Sequence, residues 1–269
     1  MNSSITTTDG VSLHVTSEGS GPTVVLVAGF TAAATTWAFQ VDALVAAGYQ
    51  AICLDRRSHG RSEAPRHGQR MARHGADLHE VLVHLDVSDA VLVGGSMGAS
   101  TIWSYLDLFG SEGVRGVVGV DQTPRLRNGE DWPYGFYGCT DENVGTMFAT
   151  GVPETGRGLG AEEAGAAILR LIERVGPGED IGFVMRPETL PLVRDHAEQD
   201  WRDVIARLDV PQLLIAGRHS QFWPCEHAAA AVADNPLGRS LVIEEAGHVV
   251  NLDAVEPFNA ALLDFLKEL

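Results

Sequence analysis

The sequence predicts an α/β fold: a mostly parallel central sheet flanked by helices, with a helical segment inserted between its two halves. Three observations carry this expectation. Short continuous apolar runs recur between helical patterns, and this alternation stops after Pro124 and resumes at Pro211. One apolar run also breaks at Gly94-Gly95-Ser96-Met97-Gly98 and continues with helical character. Continuous apolar runs mark strands buried on both faces. Strands alternating with helices imply a parallel sheet with right-handed crossovers.

Residues 6–15 read as two short strands around the Asp9-Gly10 turn. The run 23–28 is a buried strand, and 37–47 a helix that stops at Gly48. A strand over 49–55, a helix over 70–86, a strand over 90–93, a helix over 97–109 and a strand over 114–120 follow. Residues 125–208 show helical patterns, at 164–172 and, as one helix or an interrupted one, over 190–208, and no clear strand. The sheet pattern resumes with a strand over 211–216, a helix over 226–233, a strand over 240–243 and a helix over 257–269. The expected organisation is an α/β core over 1–124 and 209–269 with a helical cap over 125–208.

The 269 residues suffice for one large core plus a cap. Hydrophobic residues make up 45% and charged residues 20%, an ordinary globular composition. The formal net charge of −17 disfavours nucleic acid and anionic membrane surfaces as partners. No apolar run is long enough to span a bilayer, and residues 1–7 lack the basic and apolar regions of a signal peptide. The three cysteines (Cys53, Cys139, Cys225) are odd in number and lack metal-type spacing. A cytoplasmic protein without metal or cofactor is expected, with a homodimer as a possible assembly.

Gly-x-Ser-x-Gly between an apolar run and a helical pattern places Ser96 at a sharp turn, where its hydroxyl is exposed. A serine hydroxyl is a poor nucleophile near neutral pH, so it needs a base, an orienting partner for that base, and donors for the developing oxyanion. His248, in the loop after the last strand, is the candidate base. Such loops lie at the carboxyl edge of an open α/β sheet. Asp121 follows 117–120 and caps the carboxyl end of the strand next to the nucleophile's, so it is the candidate acid. The order Ser96, Asp121, His248 fits an elbow-type triad. Glu226 and Glu245 are weaker rivals for the acid.

Ser96, His248 and the strand–helix order resemble the α/β-hydrolase superfamily over nearly the whole chain. Gly29-Phe30 resembles that family's oxyanion turn. Asp55-Arg56-Arg57-Ser58-His59-Gly60-Arg61-Ser62 resembles its Asp-x-Arg-x-His-Gly-x-Ser stretch, and Ala246-Gly247-His248 its histidine loop. There are departures. Ala28 and Gly95 stand where many members have histidine, and Ser58 replaces a common glycine. Ser220 stands where many members carry the acid after the seventh strand. The resemblance implies that the acid comes from the earlier strand end, as in some members. It also implies an oxyanion hole formed by the backbone N–H groups of Phe30 and Met97.

His74, His79 and His84 are spaced by five and do not share a helix face, which argues against a metal site. Asp55 and His59 are expected to order a loop. No Gly-Lys-Ser/Thr follows the elbow, so it is not a phosphate loop. An epoxide or haloalkane hydrolase of this fold is expected to carry aspartate at the elbow. Trp132, Tyr134 and Phe136 in the inserted segment, with Phe222 and Trp223, suggest an apolar pocket. The expectation is a serine hydrolase of a small to medium apolar ester or lactone. Carbon–carbon hydrolysis, perhydrolysis and cofactor-free oxygenation on the same scaffold are the alternatives, and a slow-turnover ligand receptor is the non-enzymatic one.

Overall fold

In the computed structural model, which describes residues 2–269, the alternation becomes one sheet. The strands are β1 (Asn2–Thr6), β2 (Ser12–Gly19), β3 (Thr23–Val27), β4 (Gln50–Leu54), β5 (Ala90–Gly95), β6 (Val114–Val120), β7 (Gln212–Gly217) and β8 (Gly238–Ile243). Among the described residues these eight lie in the order β1-β2-β4-β3-β5-β6-β7-β8. β1–β2 and β2–β4 pair antiparallel, and every later pair is parallel. The helices are α1 (Ala38–Ala46), α2 (Met71–His84), α3 (Met97–Phe109), α4 (Val144–Met147), α5 (Ala161–Val175), α6 (Leu190–Glu198), α7 (Arg202–Arg207), α8 (His227–Val232), α9 (Val250–Asp253) and α10 (Val255–Lys267).

The two-residue strand period explains why the central strands are apolar throughout. Val25 and Val27 join one core with Leu78 and Val81 of α2 and Ile102 and Trp103 of α3. Val24 and Leu26 join the opposite core with Leu44 of α1 and Phe258, Leu262 and Phe265 of α10. Each such fully buried side chain contributes about 1.5–3 kcal/mol by area transfer.

The inserted region differs from expectation in its first half. Residues 125–143 form turns and isolated bridges, such as Arg125 with Asp200 and Asn128 with Thr140. Gly129, Gly135 and Gly138 and Pro133 interrupt any helical run there. The helices follow from α4 onward, and the 190–208 helical stretch is interrupted at an extended Gln199. The short α9 was not expected.

Register positions the site. Gly95 pairs with Val120, and Val120 with Ile215. The carboxyl ends of β5, β6 and β7 therefore lie side by side. Ile243 pairs with Gly217, which brings the loop after β8 to the same edge.

Candidate active site

Ser96 sits between β5 and α3 at φ 49° and ψ −128°, a conformation that non-glycine residues rarely adopt. Its N–H donates to Val120 O at 2.7 Å, and Ala99 N–H donates to Ser96 O at 2.8 Å. Small neighbours permit this turn. A Cβ on Gly98 would lie 2.1 Å from Val27 O, and one on Gly94 would lie 2.5 Å from Ala99 N. Over Gly95, where many members of the resembled family carry histidine, lies the Trp37 indole, 3.3 Å from where a Cβ would be.

Asp121 follows β6 directly and is fully buried, with φ 42°. Its Oδ2 accepts from His248 Nδ1 at 2.7 Å and from Ser220 Oγ at 2.6 Å. Its Oδ1 accepts from Gly217 N–H at 3.0 Å and lies 3.7 Å from His227 Nε2. Burial pushes the carboxyl upward, but His227 and His248 outweigh it and hold it at about 2. An ionised carboxylate only accepts, so Nδ1 of His248 carries a hydrogen, and in the neutral imidazole the lone pair is then on Nε2. Ser220, in the position where many members of the resembled family hold the acid, donates to Asp121, which stands one strand earlier.

The His248 loop is stitched to the end of β7. His219 N–H donates to Ala246 O at 2.9 Å, and a Cβ on Gly217 would lie 2.0 Å from Gly247 O. Phe222 and Trp223 pack edge-on against the His248 ring, with centroids at 4.5 and 5.3 Å.

Arg56 is buried behind the turn at Gly29-Phe30. Its Nε donates to Ala28 O at 2.9 Å and one terminal nitrogen to Gly29 O at 2.7 Å. The same guanidinium donates to His59 Nε2 at 3.1 Å and His74 Nδ1 at 3.2 Å. Gly29 C=O and Phe30 N–H belong to one trans peptide and point in opposite directions. Holding the carbonyl toward Arg56 thus turns the Phe30 N–H away from it. The Gly29 side of this turn faces Ser96, whose Cβ would lie 3.1 Å from a Cβ on Gly29. Asp55 orders the adjoining loop by accepting from Ala34 N–H at 2.6 Å and Arg61 N–H at 3.1 Å.

Ser96, His248, Phe30 and Met97 line one cavity of about 470 Å³. Phe136, Phe222 and Trp223 line it as expected. Trp132 and Tyr134 do not, which corrects their assignment to the pocket. The Trp132 indole N–H is shared between Thr123 Oγ1 and Arg125 O at 3.1 Å each, so the ring is held in the core, and Tyr134 packs edge-on against it. Phe148, Phe183, Met185, Val193, Gln122 and His196 are among the further residues that line the wall beyond the aromatic residues singled out for it. For Gln122 the available signal was its place beside Asp121. His196 gave no signal beyond lying in a helical pattern. No aspartate, glutamate, lysine or arginine lines the cavity among the described residues. His74 and His79 are engaged elsewhere, on Arg56 and in a stack with Tyr105 and Phe109.

The profile of the alpha/beta hydrolase fold matches residues 22–162. A putative non-heme chloroperoxidase of Synechocystis sp. is 31% identical over 93% of this chain and 92% of its own. The chain belongs to the α/β-hydrolase family. An esterase of Exiguobacterium antarcticum superposes with a TM-score of 0.80 at 24% identity, over 99% of this chain and all 100% of that one. The enol-lactonase of Burkholderia xenovorans superposes at 0.77 and 20% identity, over 98% and 100%. These two likenesses carry the fold alone. No helix among the described residues is long and apolar enough to cross a membrane.

Proposed function

We propose that the protein is a serine hydrolase of neutral carboxylic esters or lactones, with Ser96 as nucleophile, His248 as base and Asp121 as acid. The observation that carries this reading is the 2.7 Å bond from His248 Nδ1 to buried Asp121, in a cavity that His248 shares with Ser96 at its strained turn. His248 Nε2 takes the Ser96 proton as Oγ attacks the carbonyl carbon. The backbone N–H groups of Phe30 and Met97 receive the oxyanion, Met97 with the help of the α3 N-terminus. His248 then protonates the leaving alkoxide. Water, activated by the same imidazole, attacks the acyl-enzyme, and the acid leaves.

An apolar wall without charged groups supports a neutral substrate over a charged one, because a buried charge needs a partner. Residues 125–208 act as a cap over this edge of the sheet, which the cavity positions of Phe136, Phe148 and Val193 support. The chloroperoxidase name of the 31%-identical relative supports a second use of the same acyl-enzyme. In that use hydrogen peroxide replaces water as acceptor and a peracid forms.

The test is hydrolysis of p-nitrophenyl esters of increasing chain length by wild type and Ser96→Ala. The expected result is turnover that falls at least ~10⁴-fold in the variant. Turnover that survives largely intact would overturn the reading.

A further inference from the structure

Three side chains in the cavity wall, Gln122, His196 and Trp223, have polar atoms that the protein leaves without partners, and Trp223 offers only its indole N–H. Gln122 is 2% exposed and His196 6%, and both border the cavity. Gln122 Nε2 donates to Thr123 O at 2.8 Å. A peptide carbonyl only accepts, so this bond fixes the amide orientation and leaves Oε1 as the free acceptor. Gln122 Oε1 and His196 Nδ1 are both buried with no hydrogen-bond partner. Buried polar groups are nearly always satisfied, and orphans call for an explanation. The last torsion of histidine is broad, so the His196 ring turns toward a ligand without breaking any side-chain bond, while the Gln122 amide stays on Thr123 O.

The chemistry of the missing partner follows by elimination. A carboxylate or phosphate would meet the Gln122 oxygen and no cation in the wall. The His196 imidazole stays neutral, because burial pushes it down to about 3 and the Arg56 charge adds to this. An ammonium group would be buried without a carboxylate. A ketone only accepts and leaves Gln122 Oε1 unsatisfied. A hydroxyl donates to Oε1 and offers lone pairs and a proton to an imidazole that carries one N–H and one lone pair.

We propose that the ligand of this cavity carries, besides its scissile carbonyl, a neutral hydroxyl group that Gln122 and His196 bind. The scissile carbonyl rests on the hydrolase reading above, whereas the hydroxyl subsite stands on the wall itself.

The test is binding to the Ser96→Ala protein, which needs no turnover. Dissociation constants are measured by ligand-observed NMR for methyl hexanoate and for its 3-, 5- and 6-hydroxy derivatives. At least one hydroxy ester is expected to bind about tenfold tighter than methyl hexanoate. Gln122→Leu and His196→Leu, each added to Ser96→Ala, are expected to bring that ratio near unity. His196→Leu is expected to melt no lower than its parent, because an unsatisfied polar group has been removed, whereas Gln122→Leu also loses the bond to Thr123 O. Hydroxy esters that bind no tighter than methyl hexanoate would overturn the proposal, and so would a preference that persists in both variants. If the preference is found while wild type hydrolyses no ester, the subsite stands and the reaction assignment falls.

Discussion

Asp121 has more partners than orienting one imidazole requires. His248, Ser220 and the Gly217 N–H all donate to it, and His227 lies 3.7 Å away. These partners are not equivalent. Asp121→Asn removes the charge that stabilises the imidazolium and offers an N–H that favours the wrong histidine tautomer, so kcat should fall ~10³–10⁴-fold. Ser220→Ala removes one of the bonds to Oδ2 and leaves the charge, so the loss should stay within about tenfold. Steady-state kinetics of the two variants decides between them, and a larger loss in Ser220→Ala would reverse the assignment. The strand-end position of Asp121 and the loop position of His248 were legible because apolar runs end visibly just before both. Gln122 and His196 were not, since an orphaned polar atom is a property of packing that one residue's letter does not carry. Trp132 was misread for a related reason. Its aromatic character suited a pocket, but its N–H found two acceptors in the core.

The elbow shows how elements, rather than single residues, position the site. β5 and α3 approach so closely that Gly98 faces Val27 O of the neighbouring strand. A methyl there would lie 2.1 Å from that oxygen, and only backbone movement could make room. Gly98→Ala is therefore expected to destabilise the protein by about 3 kcal/mol or more, read as a lowered urea midpoint at unchanged slope. An unchanged midpoint would mean that the close approach is not required. The sheet's elements were legible because their cores lie on both faces and leave near-continuous apolar runs. The stretch 125–143 was not, because its form rests on specific bonds such as Asn128 Nδ2 to Phe136 O and Cys139 O, which no periodicity announces.

Across the whole molecule, one buried cation organises several neutral histidines. Arg56 lies with its guanidinium on the carbonyls of the Gly29 turn and on His59 and His74. Burial first, and the Arg56 charge second, push His59 and His74 well below the usual histidine range and His196 to about 3. Unfolding frees these imidazoles to bind protons once the pH falls below about 6.5, their unperturbed value. The unfolded chain then holds more protons than the folded one, so stability falls as pH falls. With all three taking up a proton, the slope approaches about 4 kcal/mol per pH unit. Asp121, held at about 2, adds loss in the same direction only below about pH 4. Urea unfolding across pH 4–8 should show this decline, and His196→Leu should lessen the slope by about one third. A flat profile between pH 6.5 and 4.5 would contradict the neutral assignments.

The central claim is that Ser96 is an activated nucleophile, and active-site titration with diethyl p-nitrophenyl phosphate tests it most directly. The account predicts release of about one equivalent of p-nitrophenolate per chain. The added diethylphosphoryl mass should map by peptide mass spectrometry to Ser96, and Ser96→Ala should take up none. Absence of release from folded wild type, or a label on any other residue, would contradict it.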